Sequence, residues 1–202
     1  MKRIITFSIC LILFFTTNVF SQTEISKEER ELAITHLQNT KAALIDAVEG
    51  LTEEQLNFKA TPESWSIAEC VEHIAISEGM LFGGIDGALQ AEADPSQRSD
   101  VKMTDDQILE FITNRSTKVK TSEPFEPKNG FESYEGSLKA FNERRDKSIE
   151  FVENTTDDLR NHYFDFPFGK LDIYQAILFM SGHTERHTKQ ILEVKESENF
   201  SK

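Results

Sequence analysis

Cysteine is scarce in this chain, whose 202 residues include only Cys10 and Cys70. Cys10 lies in an N-terminal segment, residues 1–21, in which two basic residues precede a long apolar run. This pattern predicts an export signal that is cleaved before Gln22. The mature chain would then keep Cys70 alone, which excludes an intramolecular disulfide and leaves stability to the hydrophobic core.

An uncleaved membrane anchor is the alternative interpretation of this segment. Its apolar stretch, residues 4–20, covers 17 positions, which is at the short edge of what spans a bilayer, and three polar residues weaken its end. No lipoprotein-type cysteine follows the stretch. The sequence therefore predicts a signal peptide over residues 1–21 and one exported domain over residues 22–202, periplasmic or extracellular, with no stable membrane insertion.

Basic residues are also few, with 22 Lys and Arg against 35 Asp and Glu, and a net charge of −13. The predicted signal contains two of the basic residues and no acidic ones, so the mature domain would have 20 basic against 35 acidic side chains, a net charge of −15. Such a charge argues against binding to nucleic acid or to anionic membranes through general electrostatics.

The chain lacks the apolar–polar alternation that marks strands, and it contains no internal repeat. Apolar residues instead recur at helical spacing in four long segments, over residues 24–49, 66–90, 133–153 and 171–196. We therefore predict an all-α fold, a four-helix bundle. The connection over residues 91–132 is long enough to permit a crossover between neighbouring helices.

Capping boxes mark the start of three helices. Thr52, Ser66 and Thr104 are each followed three residues later by Glu or Gln, the pattern in which side chain and backbone cap each other. Ser66 begins the second long helix, and the other two predict extra short helices. Residues 156–162 predict a short helical turn, and residues 164–169 an aromatic loop or a brief extended pair.

Histidines are the best candidates for chemistry. His183 and His187 lie four residues apart on the last predicted helix, so they share one face. His73 lies on the inward half of the second long helix. Three inward imidazoles could ligate one divalent ion and leave a coordination position open. The alternative is that the histidines are hydrogen-bonded core residues, because an H-x-x-x-H pair occurs on many helices by chance.

Three residues close to these histidines in sequence have two interpretations each. Glu69 is either an acceptor behind His73 or the partner of Ser66 in the capping box, and the cap is favoured. Cys70 is favoured as a core residue over a metal ligand. Gln190 lies one turn after the last histidine and could contact a substrate or only the core.

Other polar residues are expected to lie away from the site. Glu185 is about 200° round the helix from each neighbouring histidine, so it is not assigned as a base. His36 and His162 have polar surroundings in sequence and are expected to be solvated. Trp65 is expected to be a core residue and not a platform for substrate.

Two segments of the chain match a known pattern. Trp65–Ile74 reads WSIAECVEHI, and Gly182–Ile191 reads GHTERHTKQI. Together with the turn over residues 51–56, they resemble the DinB/YfiT family of metalloenzymes, and the resemblance covers most of residues 27–195. In that family a W-S-x-x-E-x-x-x-H segment opens the second helix and a late H-x-x-x-H pair lies on the last, and these histidines are the metal ligands.

The resemblance implies a four-helix bundle with a crossover and a metal site formed by His73, His183 and His187, with Zn or Ni ahead of Fe or Mn. It also implies a hydrolase or a transferase of low-molecular-weight thiols that acts on a small molecule. The predicted export counts against the transferase, because such thiols are cytosolic. Two other classes stay open, a non-catalytic metal-binding module and a helical interaction domain. A homodimer is compatible with either, since long bundle helices often pair.

Overall fold

A computed structural model describes residues 24–117 and 119–200 of the chain. The predicted signal peptide lies outside these residues. The described domain is built mainly of helices. The helices are α1 (Lys27–Val48), α2 (Glu53–Asn57), α3 (Ile67–Leu89), α4 (Asp105–Thr113), α5 (Tyr134–Asn154) and α6 (Ile173–Lys195). A hairpin of β1 (Tyr163–Phe166) and β2 (Gly169–Asp172) precedes α6, and two short 3-10 segments cover Pro95–Asp100 and Glu123–Phe125.

The helices begin where their sequences supply a cap. The predicted boxes at Thr52, Ser66 and Thr104 all form, with each side chain accepting from the backbone N–H three residues on. Ser26 forms a fourth box at the start of α1, and Asp172 caps α6. Caps of this kind are each worth about 1 kcal/mol, which explains why the predicted starts lie close to the observed ones.

The first and last helices run parallel to each other. The Tyr174 hydroxyl donates to the Glu29 carbonyl at 2.9 Å near their starts, and Lys195 Nζ donates to the Ala47 carbonyl at 2.8 Å near their ends. The chain therefore enters and leaves the bundle in the same direction, unlike the chain of an up-down-up-down bundle.

Helices α3 and α5 also run parallel to each other and antiparallel to α6. Arg144 on α5 donates to the Ala75 carbonyl on α3, and further along Phe82 and Phe151 pack edge to face at 5.5 Å. At opposite ends of the α3–α6 contact, the start of α3 shares a core cluster with the end of α6, and the end of α3 shares another with the start of α6. Two parallel neighbours need a connection that returns along the bundle, so the predicted crossover is confirmed.

The crossover connection contains α4, which packs against α6. A Cβ atom placed on Gly182 would lie 2.5 Å from Ile112 Cγ2, so only glycine permits the two helices to approach this closely. The contact fixes α4 and the loop after it beside the middle of α6. Among the described residues, none of the helices is both long and apolar enough to cross a membrane.

Of the expectations for residues 156–169, one is wrong and one of two alternatives is decided. The turn of helix expected over residues 156–162 is absent, and that segment forms non-helical turns. The aromatic segment after it is the extended pair and not a loop, because Phe164 pairs with Leu171 and packs over Gly84 of α3. The hairpin closes the end of the bundle from which α6 starts.

Candidate metal centre

The structure brings together the three histidines selected from the sequence. His73 Nε2 lies 3.2 Å from His183 Nε2 and 3.1 Å from His187 Nε2. His73 and His187 are 3% and 8% exposed, whereas His183 is half-buried. Within the described part of the chain, these three form the group of metal-ligating side chains whose ligand atoms all lie within 4.8 Å of one another. Their ring nitrogens converge on one point between α3 and α6.

Hydrogen bonds behind two of the rings determine which nitrogen carries the proton. His73 Nδ1 lies 2.7 Å from the Phe125 carbonyl oxygen, which can only accept, so Nδ1 donates. His187 Nδ1 lies 2.9 Å from Gln190 Oε1, which also receives Arg115 Nη1 at 3.4 Å, so this amide oxygen is the acceptor for both. In the neutral rings, the Nε2 atoms of His73 and His187 therefore both present lone pairs.

Two facing lone pairs at 3.1 Å repel each other unless a cation lies between them. His183 could donate one proton to one of these nitrogens, which would leave the other acceptor unpaired. Two nitrogens bound to one tetrahedral ion at about 2.0–2.1 Å are about 3.3 Å apart, close to the separations seen here. The donor set therefore fits a divalent metal better than it fits a hydrogen-bonded core.

The charge state of the rings suits the same role. Burial lowers the pKa of both His183 and His187 well below the usual value, and repulsion from the neighbouring rings lowers it further. Burial also lowers the pKa of His73, although the hydrogen bond to Phe125 acts in the opposite direction. All three imidazoles are neutral at neutral pH, and neutral imidazole is the form that ligates a metal.

Comparison with known proteins identifies the family of the chain. The family model of the DinB superfamily matches residues 36–191. This chain belongs to the DinB superfamily. It is 26% identical over 154 residues to the uncharacterized protein YuaE of Bacillus subtilis (strain 168), covering 74% of this chain and 88% of that protein.

A solved structure shows the same fold as this DinB-superfamily chain. YfiT from Bacillus subtilis, described as a probable metal-dependent hydrolase with an unusual four-helix bundle topology, aligns with a TM-score of 0.59 and 22% identity. The alignment covers 88% of this chain and 92% of YfiT. The predicted family and the predicted four-helix bundle with a crossover are both confirmed.

Two potential ligands of the DinB chain lie elsewhere, as favoured from the sequence. Glu69 accepts from the Ser66 backbone N–H and from Lys59 Nζ, both at 2.7 Å, so it acts as a cap. Cys70 is fully buried in an apolar cluster, and burial raises the pKa of its thiol to about 12. Neither joins the group of three histidines, so among the described residues the group offers three ligand atoms and not four.

The remaining histidines and Glu185 stay outside the site, but the two histidines have protein partners. Glu185 points away as expected, since it pairs with Lys189 at 2.7 Å and lies 3.8 Å from His36. The expectation that His36 and His162 are solvated is wrong. His36 Nδ1 lies 2.7 Å from Ser181 Oγ, and the two ring nitrogens of the half-buried His162 lie 2.7 and 3.1 Å from the carbonyl oxygens of Asp158 and Ala91.

Aromatic rings line two sides of the three-histidine group. The Trp65 ring lies 4.7 Å from that of His73 and 6.1 Å from that of His187, so Trp65 is part of the site wall as well as of the core. On the other side, Phe179 stacks on His183 at 6.3 Å. Phe179 continues into a cluster that reaches the surface, formed with Phe166, Phe168 and Phe111.

Two partners of the ligand rings were not identified from the sequence. Gln190 was left undecided, although its position three residues after His187 places it on the same helical face and could have indicated this bond. The Phe125 carbonyl is a backbone group 52 residues from His73 in sequence, and no sequence pattern marks such a contact.

Proposed function

We propose that this chain binds one divalent metal ion through His73, His183 and His187 and acts as a metal-dependent enzyme, a hydrolase in preference to a thiol transferase. The observation that carries the proposal is the pair of Nε2 lone pairs held 3.1 Å apart by hydrogen bonds on the far side of both rings. A bound divalent ion would supply Lewis acidity that activates water or polarises a substrate.

The number of protein ligands supports catalysis over a structural clamp. A closed structural site has four protein ligands, whereas three histidines leave room for an exchangeable ligand. His183 is the half-buried ring of the group, and Phe179 beside it offers an apolar surface. A small-molecule substrate with an apolar portion next to its reacting group would match this side of the site.

A non-catalytic metal-binding module is the second candidate. One observation favours it, namely that among the described residues no carboxylate joins the three rings to serve as a general base. The likeness in fold to YfiT, described as a probable metal-dependent hydrolase, favours the enzyme. Export to the periplasm or the extracellular space, which we also propose, favours a hydrolase because low-molecular-weight thiol cosubstrates are cytosolic.

Metal content tests the proposal directly. Purified wild type, His73→Ala, His187→Ala and the control His162→Ala would be analysed for bound elements after incubation with Zn or Ni. We expect about one divalent ion per chain in wild type and control and none in the two site variants. The control alters a half-buried histidine whose ring nitrogens lie beside backbone carbonyls, away from the three histidines. Absence of stoichiometric metal in wild type would overturn both candidate functions.

Two further measurements separate the remaining alternatives. The metal-loaded protein would be screened with ester, amide and thiol-transfer substrates that carry apolar groups, and turnover that disappears in His187→Ala would identify the enzyme. Complete inactivity across the panel with metal still bound would favour the non-catalytic module. Mass spectrometry of the exported protein would test cleavage before Gln22, and an intact N-terminus would contradict the predicted signal peptide.

A further inference from the structure

Ser77 of α3 carries a buried hydroxyl without a partner. Ser77 is 1% exposed, and its Oγ has no hydrogen-bond partner among the described residues. Serine and threonine inside a helix commonly donate to the carbonyl one turn back. Thr40, Thr188 and Ser148 of this chain all do so, at 2.9–3.1 Å. A buried hydroxyl that forgoes this bond costs free energy, so its orientation needs another reason.

The position of Ser77 relative to the histidines suggests that reason. Ser77 follows His73 by four residues, so both project from the same face of α3. Because α3 and α6 are antiparallel, the step from His73 to Ser77 runs in the same direction as the step from His187 to His183. The four residues therefore occupy the corners of a rectangle between the two helices, and three of its corners are imidazoles.

An independent contact places Ser77 and His183 at the same level of the bundle. Arg145 Nη2 donates to Glu78 at 2.8 Å and to Thr184 at 2.7 Å. Glu78 and Thr184 are the immediate sequence neighbours of Ser77 and His183. A single guanidinium nitrogen bridges these neighbours, so Ser77 and His183 face each other across the α3–α6 contact.

We propose that Ser77 Oγ is the protein's hydrogen-bond partner for the exchangeable ligand at the fourth coordination position, and that it donates to a small anionic ligand there. This inference rests on the proposed metal site. The hydroxyl can both donate and accept, so it can hold either a neutral or an anionic ligand. The carboxylates close to these histidines in sequence are engaged elsewhere: Glu72 accepts from two loop N–H groups, Glu78 pairs with Arg145, and Glu69 and Glu185 pair with lysines. Ser77 Oγ, in contrast, is a buried polar atom beside the histidines that has no partner among the described residues.

Cobalt-substituted protein allows a test that does not depend on turnover. Wild type, Ser77→Ala, Ser77→Thr and the control Ser137→Ala would be loaded with Co²⁺, and the visible spectrum recorded against pH and against azide. Ser137 is a matched control because it is a buried helical serine whose hydroxyl donates to the Ser133 carbonyl at 3.1 Å.

The expected pattern is specific to Ser77→Ala. This variant should still bind one Co²⁺ per chain. It should bind azide about tenfold more weakly, because a hydrogen bond to a charged ligand is lost. The pH at the midpoint of the change in its visible spectrum should be higher than in wild type. Ser77→Thr should behave as wild type, since it keeps the hydroxyl. The metal-free melting temperature of Ser77→Ala should not fall, because the hydroxyl has no bond in the metal-free protein to lose.

Each contrary outcome has a distinct meaning. Failure of wild type to bind Co²⁺ would overturn the proposed metal site itself. Normal Co²⁺ binding with unchanged azide affinity and midpoint in Ser77→Ala would overturn only the role of Ser77. Loss of Co²⁺ from Ser77→Ala would also overturn it, because the hydroxyl would then support the metal or its ligands and not the exchangeable ligand.

Discussion

At the scale of single residues, the hydrogen-bond partner behind a histidine determines which ring nitrogen faces the proposed metal site. Gln190 Oε1 accepts from His187 Nδ1 at 2.9 Å and so directs the Nε2 lone pair toward His73. Arg115 stabilises this arrangement by donating to the same oxygen at 3.4 Å. The chain Arg115–Gln190–His187 therefore positions one of the three proposed metal-ligating rings from outside the group of histidines.

Removing this acceptor should weaken metal binding. Gln190→Leu is expected to lower the affinity for Zn²⁺ about 10- to 100-fold, because the His187 ring loses both its orientation and the fixed tautomer. Gln190→Glu keeps an acceptor and should bind at least as tightly as wild type. Competition with a chromogenic chelator measures both, and Lys189→Ala, an exposed neighbour, is the control. Equal affinity in Gln190→Leu and wild type would show that the bond has no positioning role.

The residues of the site differ in how far the sequence could predict them. His183 and His187 were predictable because a four-residue spacing on a helix has one geometric consequence. His73 could be placed on the inward half of its helix by periodicity, but the family resemblance was the stronger reason to group it with the other two, since only the tertiary fold brings α3 to α6. Trp65 was assigned to the core alone because a large aromatic residue beside an apolar helix start has no feature that distinguishes a core residue from a site wall.

At the scale of elements, the loop before α5 is attached to α3 at two adjacent residues. The Glu72 carboxylate, 5% exposed, accepts from the backbone N–H groups of Lys128 at 3.1 Å and Gly130 at 2.7 Å. His73, next in sequence, donates to the Phe125 carbonyl. The loop thus contributes the acceptor that orients the His73 ring, and Glu72 holds the loop in place.

Loss of the Glu72 carboxylate should loosen this loop. Glu72→Leu leaves two backbone N–H groups without their acceptor, and we expect a loss of about 2 kcal/mol in the free energy of unfolding. Amide hydrogen exchange at Lys128 and Gly130 should accelerate more than exchange in the helices. Glu143→Ala, which removes an exposed carboxylate from α5, is the control. Unchanged exchange at both amides would contradict the role assigned to Glu72.

Helices were easier to predict than the other elements. Their starts are marked by side chains that cap the backbone locally, so a few neighbouring residues contain the information. The hairpin depends instead on tertiary packing, since Phe164 needs Gly84 of α3 to make room for its ring. The crossover could be expected from the length of the connection, but its direction follows only from contacts such as that between Ala75 and Arg144.

At the scale of the whole molecule, one buried ion pair joins all four bundle helices. Arg145 and Glu78 are 0% and 1% exposed, and the guanidinium donates to both Glu78 oxygens at 2.8 Å. The other Arg145 N–H groups donate to Leu37, Thr40 and Thr184 at 2.6–3.0 Å. All five guanidinium donors are paired, so removing any one partner would leave a buried polar group without its hydrogen bond.

Breaking this pair should cost more than removing it altogether. Arg145→Leu is expected to lower the free energy of unfolding by about 3–5 kcal/mol, because Glu78 is left as an unpaired buried charge. The double variant Arg145→Leu/Glu78→Leu should recover part of that loss. Urea denaturation of both variants measures the difference. If the effects of Arg145→Leu and Glu78→Leu on the free energy of unfolding simply add in the double variant, the two residues do not act as a pair.

The metal-free protein should lose stability as the pH falls through the range in which histidine titrates. Burial lowers the pKa of His36, His73, His183 and His187 in the folded state. As the pH falls below about 6.5, the unfolded chain therefore binds protons that the folded chain does not. Stability contributed by these rings is fully present above pH 6.5 and is lost toward lower pH, at about 1.4 kcal/mol per pH unit for each proton.

Comparison with a single variant separates this effect from that of the carboxylates. His183→Gln removes one titrating ring, so the difference in unfolding free energy between wild type and variant should change between pH 7.5 and 5.5, with wild type losing more. The buried Asp172, whose pKa is raised by burial, is present in both proteins and cancels in the comparison. Urea titrations in the presence of a chelator provide the measurement. A pH-independent difference would show that His183 is protonated as readily in the fold as in the unfolded chain.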